Sequence, residues 1–290
     1  MRTAERAILS RYDYRKRSNQ FAFAIVCLVI ATMVFTMIYP IAVTFMNSFK
    51  TTQEVNSFPP KFLPESWKLD NFTEGWRYMD IPHFMGNTFK IFAGNMVVTI
   101  FVLGLASFAL SRLNLPYRKG IYLFFLMTLF IPPSTYIVPN FVNLKDLGLL
   151  NTFFAFWLPA GASAFNLLLL KSFFDNLHHE MFEAARMDGA SDWRSFTTIA
   201  LPLSVPIFST LAIFVFSAVW NDWFWPSLVM HGDPNYPLAT AIYKKVIAAR
   251  GLKLNVKFAI LAMTAVPPMI VFLIFQRYIM GGLQIGGVKG

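Results

Sequence analysis

Charge is scarce in this chain. Only 14% of its residues are Asp, Glu, Lys or Arg, where a soluble domain carries about 25%, so a water-facing globule of this length is excluded. Cysteine is nearly absent as well. Cys27 stands alone inside an apolar run, which rules out an intrachain disulfide and zinc-type cysteine spacing and leaves a small buried hydrophobe. There is no Gly-x4-Gly-Lys-Ser/Thr phosphate loop, so the chain lacks the usual means of hydrolysing ATP. His178-His179-Glu180 fails the zincin pattern because Glu183 stands where the second histidine would be needed. Gly189-Ala190-Ser191-Asp192 passes near a Gly-x-Ser pattern without a paired histidine in an apolar segment. No catalytic residue and no metal site is expected, and no repeat or low-complexity tract is evident.

What the chain has instead is apolar length. Hydrophobic residues make up 56% of it, with 32 Phe, and they gather in runs of about 20, the length that crosses a hydrocarbon core. Six spans are expected, over 21–46, 86–111, 118–140, 152–172, 203–224 and 258–280. Backbone polar groups in lipid must be satisfied within the segment, which makes each span a helix. The short alternating segments of a barrel are missing. The fold class is therefore all-α and polytopic. The first run is too long for a signal-peptide core and is kept as a span. Residues 47–85, with Pro59, Pro60, Pro64 and Pro82, read as an extended loop with short turns, and 141–151 as a short turn. Prolines within the spans (Pro132, Pro133, Pro139, Pro206, Pro267, Pro268) either bend helices around a cavity or merely improve packing.

The net charge of +10 follows the spans rather than a nucleic acid, for which no binding is expected. Arg2, Arg6, Arg11, Arg15, Lys16 and Arg17 precede the first span, and Arg112, Arg118 and Lys119 follow the second. Both clusters mark the cytoplasmic side. Six spans then place both termini and the 173–202 segment there too. The 231–257 loop disagrees, since it should lie outside yet carries Lys244, Lys245, Arg250, Lys253 and Lys257.

One polar stretch carries a motif. Glu183-Ala184-Ala185, Gly189, Ile199, Leu201 and Pro202 fill the pattern E-A-A-x3-G-x9-I-x-L-P. Residues 179–188 form a helix, Gly189 ends it cheaply at positive φ, and Ser191 caps a second helix running through Trp193 and Phe196. Met181, Phe182 and Met187 offer an apolar docking face, and Glu183 and Asp188 offer charges to a basic partner. The bland alternative is an amphipathic helix lying on the membrane.

This pattern resembles the coupling segment of the permease subunits of bacterial ABC importers. The strings Leu147-Gly148-Leu149-Leu150-Asn151-Thr152, Trp220-Asn221-Asp222 and Asn47-Ser48-Phe49-Lys50 are similar to those of the MalG-like carbohydrate permeases, from about residue 20 to the end of the chain. Met187 stands where such permeases usually have Ile. The resemblance implies the type I ABC importer permease fold in a bacterial inner membrane. The domains would be a cytoplasmic segment over 1–20, a permease domain over 21–280 with its coupling segment at 179–202, and a cytoplasmic tail over 281–290. It implies a separate dimer of ATP-binding subunits carrying ATP and Mg, coupled through Glu183, Ala184, Ala185, Met187, Asp188, Gly189, Ile199, Leu201 and Pro202. It also implies a second, MalF-like permease and an extracytoplasmic solute-binding protein. The glycine-rich tail, with Gln284, Gly286 and Gly287, is either a flexible end or an ATPase contact.

Polar residues in or near the spans are candidates for the substrate path: Asn87, Asn95, Asn166, Asn221 and Asp222, with Trp220, Trp223 and Trp225 able to stack on sugar rings. Each has a plainer reading as a helix–helix hydrogen bond or an interface anchor. The cations Lys244, Lys245, Arg250 and Lys253 face either an acidic binding protein or an acidic cargo such as a uronate oligosaccharide. Rival readings are a permease for another solute such as glycerol phosphate, an ion-coupled secondary transporter, and a membrane scaffold. The second predicts charges deep in several spans, whereas Lys90 and Asp222 lie towards span ends.

Overall fold

The computed structural model describes the backbone of residues 17–286 and the side chains of 19–276. The leader cations Arg2, Arg6, Arg11, Arg15 and Lys16, and Gly287 of the tail, lie outside the described residues. Among those described there is no strand. Three helices are long and apolar enough to cross a membrane, and three bent pairs bring the number of spans to six if each pair is one span. By contacts the chain divides into two compact units, one holding residues up to Gly75 with Leu252–Met263 and the other holding Trp76–Gly251 with residues from Thr264 on.

In the first unit, α1 (Arg17–Ser48) is apolar on every side. None of its most apolar window is buried against protein, as suits a helix whose solvent is lipid. Its threonines cover their own hydroxyls: Thr32 and Thr44 donate to the carbonyls four residues back, at 2.9 Å each. The 47–69 region was expected to be extended. Instead α2 (Thr52–Val55) forms there through a capping box, in which the Thr51 hydroxyl accepts from the Glu54 amide and the Glu54 carboxylate accepts from the Thr51 amide. Carboxylate contacts, first the Thr51 amide, then the Thr51 side chain, and further on the Glu65 and Ser66 amides, hold Glu54 at a pKa of about 2. The Asn47-Ser48-Phe49-Lys50 string closes a buried polar knot. Lys50 donates to Asn47 at 2.7 Å and to the Lys61 carbonyl, and Asn71 donates to the carbonyls of Ser48 and Lys50 at 2.8 Å each. Asn255 joins from α16, donating to Asn71 at 2.7 Å.

The expected loop over 70–85 is also largely helical, as α3 (Asp70–Tyr78) and the start of α4 (Ile81–Val98). Pro82 was read as a breaker. It occupies the first turn of α4, where no amide hydrogen is needed. In the second unit, α4 continues through a π-turn (Thr99–Leu103) into α5 (Gly104–Arg112), so Ile81–Arg112 is one span. The third span breaks by 96° between α6 (Arg118–Thr128) and a 3-10 turn at Pro133–Tyr136 leading into α7 (Ile137–Asp146). The segment 141–151 is thus mostly helix, not a turn. The fourth span breaks by 47° between α8 (Phe154–Ala160) and α9 (Ala164–Asp175). Then come α10 (His179–Met187), α11 (Asp192–Ser195), a second π-turn (Phe196–Ala200), α12 (Leu201–Leu203) and, after a 72° bend at Ser204, α13 (Val205–Asn221). Beyond it are α14 (Phe224–Val229), α15 (Leu238–Ala241), a third π-turn (Ile242–Ile247) and α16 (Leu254–Gly286). Pro267 and Pro268 lie inside an unbroken α16. This helix also runs past the expected span end at 280, because glycine weakens a helix by about 1 kcal/mol without forbidding it.

Spans two and four meet through glycine, as closely packed membrane helices do. A Cβ at Gly94 would overlap the indole of Trp157, whereas one at Gly86 would meet nothing within 4 Å. We expect Gly94→Ala to destabilise the chain by about 1–3 kcal/mol through overpacking, read as thermal unfolding in detergent, with Gly86→Ala near neutral. Equal losses would remove the close approach from the account. For Glu54, the folded pKa lies below the unfolded value of about 4.3. Its contribution is therefore present above about pH 4 and lost as pH falls towards about 2. The gap in thermal midpoint between wild type and Glu54→Gln should accordingly close on acidification through that window; a gap that widens would contradict this.

Candidate coupling site

The motif segment folds as its residues dictate. α10 ends at Asp188, and Gly189 follows at φ +77°, a value cheap only for glycine. The Gly189 amide donates to the Arg186 carbonyl at 3.0 Å and the Ala190 amide to that of Ala185 at 2.9 Å, closing the helix end. Ser191 caps α11, its hydroxyl accepting from the Arg194 amide at 3.2 Å. Glu183, Ala184, Met187 and Asp188 face outward, with Met187 89% exposed; Ala185 is half-buried. Glu183 pairs with His179 one turn away at 3.0 Å when that imidazole is protonated.

Phe182 corrects the expected docking face. It is 3% exposed and turned into the chain's own core, so Met181 and Met187 alone remain on the apolar side available to a partner. Phe108 is the hub of that core, with ring centroids 6.0 Å from Phe174, 5.9 Å from Phe182 and 5.5 Å from Phe196. Ile199 and Leu201 pack around it, and Pro202 sits in the first turn of α12. The second half of the motif therefore anchors the segment to the spans, and the first half is what it shows to the outside.

Arg112 and Arg118 were read only as orientation signals, and that reading missed their geometry. The Arg112 guanidinium donates to the carbonyls of Phe174 and, at 2.6 Å, Leu177, and lies 4.7 Å from the centre of the Phe182 ring. Arg118 donates to the carbonyls of Leu110 and Ser111 at 2.7 Å each. Ser111 donates to Asp175 at 2.6 Å, which Lys171 also reaches at 2.5 Å.

At the far end of α13 the substrate-path candidates part company. Trp220 is buried against Phe216 and Phe89, at 5.2 and 6.3 Å between centroids. Asn221 and Trp223 line a hollow of about 370 Å³ with Tyr243, whose ring stacks on Trp223 at 4.1 Å. Asp222 lines a different one of about 200 Å³, together with Asn95, whose side-chain oxygen is buried without a hydrogen-bond partner. Asp222 also caps α14, accepting from the amides of Phe224 and Trp225 at 3.1 Å each. Trp225 donates to the Ala155 carbonyl at 3.2 Å. Asn87 is spent on structure, since its buried amide donates to the carbonyls of Pro234 (2.7 Å) and Tyr236 (3.1 Å). Asn166 is half-buried in the first turn of α9, near a third hollow of about 700 Å³ lined by Thr128, Tyr136, Asn140 and Ser163 where spans three and four break.

Two of the loop's five cations are paired with carboxylates of this chain. Lys245 pairs with Asp233 at 2.6 Å, Lys253 with Glu74 at 3.2 Å, and Lys244 donates to the Tyr236 hydroxyl at 3.1 Å; Arg250 is exposed. The Leu147-to-Thr152 string is turn chemistry. Gly148 and Asn151 take positive φ (+68° and +59°), and the Asn151 side chain accepts from the His231 amide at 3.0 Å and from Asn235 at 3.1 Å. Gln284 and Gly286 lie in the last turns of α16, whose side chains are not described. If Asp222 acts through its cap, Asp222→Asn keeps thermal stability within about 0.5 kcal/mol of wild type while Asp222→Ala loses about 0.5–2 kcal/mol. Equal losses in the two variants would assign its role to charge instead.

Residues 91–283 match the family described as binding-protein-dependent transport system inner membrane component. Over 258 residues the chain is 31% identical to the diacetylchitobiose uptake system permease protein NgcG of Streptomyces coelicolor, covering 86% of this chain and 83% of that one. It is 29% identical to the polygalacturonan/rhamnogalacturonan transport system permease protein YtcP of Bacillus subtilis, covering 84% and 89%. Its fold is that of a chain in the crystal structure of a bacterial ABC transporter involved in the import of the acidic polysaccharide alginate, with a TM-score of 0.83 at 22% identity, over 91% of this chain and 98% of that one. The family match spans the motif segment, most of the second span and all of the four that follow, and on that ground the chain belongs to the inner membrane components of binding-protein-dependent transport systems, as a multi-pass permease subunit without an ATPase site of its own.

Proposed function

We propose that this chain is one of two permease subunits of a bacterial carbohydrate importer, moving an oligosaccharide by alternating access. Membership of the family brings an ATPase and a solute-binding protein in general; the finer assembly is our reading. A dimer of ATP-binding subunits, holding ATP and Mg, docks on the outward face of α10, and a second, MalF-like permease completes the pore. The amino and carboxyl termini and α10 lie on the cytoplasmic side of the inner membrane, and the solute-binding protein delivers cargo at the other. Gln284, Gly286 and Gly287 of the tail contact the ATPase dimer.

The observation that carries this reading is the two-faced character of α10. Its single buried residue, Phe182, ties it to the spans, while Glu183, Ala184 and Met187 are left outward. A helix lying passively on a membrane would turn its apolar side to lipid; this one turns Phe182 into the protein and leaves Met181 and Met187 beside Glu183 as a mixed outward surface. Support for carbohydrate comes from the relatives NgcG, named for a disaccharide, and YtcP, named for sugar polymers, and from the aromatic hollow of Trp223 and Tyr243. The latter offers the flat apolar face and adjoining Asn221 amide that a sugar ring uses. An acidic, uronate-type cargo is favoured by YtcP, whereas the internal pairing of Lys245 and Lys253 weakens the electrostatic case for it.

In proteoliposomes holding the whole complex, Glu183→Lys and Gly189→Pro should leave the chain inserted but cut transport per ATP by roughly tenfold. Gly189→Pro does so because proline cannot take φ near +77° and removes the amide that closes α10. Full transport in both variants would overturn the docking site. Supplying a neutral oligosaccharide, an oligouronate and glycerol 3-phosphate separately should give ATP-dependent uptake of an oligosaccharide. Uptake of glycerol 3-phosphate alone, or uptake driven by an ion gradient without ATP, would overturn the cargo assignment.

A further inference from the structure

We infer that Arg112 is the positioning residue that makes α10 and the C-terminal ends of α5 and α9 one rigid block, so that a displacement of the coupling helix reaches the spans. This rests on the docking of an ATPase on α10 proposed above. Arg112 is 8% exposed, which is far more burial than an orientation signal requires; Lys119, seven residues on, supplies such a signal while staying exposed. Burying a guanidinium is costly unless its donors and its faces are used; here one terminal nitrogen and one face are engaged, while Nε is buried without a partner. One terminal nitrogen donates to the carbonyls of Phe174, in the last turn of α9, and of Leu177, two residues past its end. Its face covers the ring of Phe182, the residue by which α10 enters the core. Its own carbonyl accepts from Arg186 of α10 at 3.3 Å. One side chain at the end of α5 thus holds the end of α9 and, together with its carbonyl, touches α10 twice.

Asp175 is not what anchors it. That carboxylate is occupied by Ser111 and Lys171, with Arg118 at 3.8 Å. What distinguishes arginine here is its plane: a single terminal nitrogen reaches both carbonyls while the flat guanidinium covers the Phe182 ring, a face that a lysine ammonium lacks. The joint of the segment lies elsewhere. Past the packed core of Phe196 and Ala200 comes the 72° bend at Ser204. The block transmits a push to the spans, and the bend carries it into α13.

The test reconstitutes the complete complex, with neutral and uronate trisaccharides supplied together as cargo, and compares Arg112→Gln, Arg112→Lys, Phe182→Leu and Glu183→Lys. Co-purification of the ATPase and the number of sugars moved per ATP are read for each. Arg112→Gln should keep the ATPase bound but move roughly five- to tenfold fewer sugars per ATP, with Arg112→Lys and Phe182→Leu intermediate. Normal sugar-to-ATP ratios in Arg112→Gln and Phe182→Leu, with Glu183→Lys uncoupled, would overturn the inference and leave the docking site standing. Full coupling in Glu183→Lys would overturn the docking site itself. Should Arg112→Gln fail to assemble, Arg112→Lys and Phe182→Leu decide: reduced ratios support the block, and wild-type ratios reduce Arg112 to a folding role.

Discussion

A single aromatic contact underlies the arrangement: Phe182 leaves the surface of α10 and enters a core centred on Phe108. Without it α10 would be a polar helix of nine residues, too short to persist alone in water. Removing a buried phenylalanine costs about 3–5 kcal/mol, more than the summed end caps of so short a helix provide. The same contact decides orientation. Once Phe182 points inward, the helical period places Glu183 and Met187 outward, where a second protein can grip them.

The opposite end of α13 is organised by polar latches rather than by rings alone. Asn87 and Thr88 of span two hold the 234–238 stretch, and Asn151 holds His231 and Asn235. These bonds lie between segments far apart in sequence, so they set where the aromatic hollow of Trp223 and Tyr243 sits. Asn221 and Asp222, adjacent in the chain, face separate hollows because α13 ends between them. A substrate path and a helix cap can therefore occupy consecutive residues without competing.

Much of this was legible in the sequence. The spans, the α10 helix, the positive φ at Gly189 and the Ser191 cap all follow from local rules, since apolar length, glycine freedom and side-chain capping act within a few residues. The inward turn of Phe182 was not legible, because an apolar residue on a short amphipathic helix looks the same whether its partner is its own core or another protein. Arg112 was taken for a topogenic charge for a similar reason: its partners Phe174, Leu177 and Phe182 are more than 60 positions away. The 47–85 region was misread as extended because its prolines were counted as breakers, while Pro82 sits in a helix's first turn and Glu54 closes a cap on its own helix. The cationic excess of the 231–257 loop is smaller than its sequence suggested, because Asp233 and Glu74 stand beside Lys245 and Lys253.

The central claim is that α10 and the ends of α5 and α9 move together. The most direct measurement is the spin–spin distance between labels at Met187, on the exposed face of α10, and Asn114, on the turn after α5. It would be made in the assembled complex with Cys27 replaced by Ser, before and after trapping the nucleotide-bound state. A rigid block predicts one narrow distance distribution that stays in place between the two states. A distribution that shifts or splits on nucleotide binding would show α10 moving against the spans, and would contradict the account.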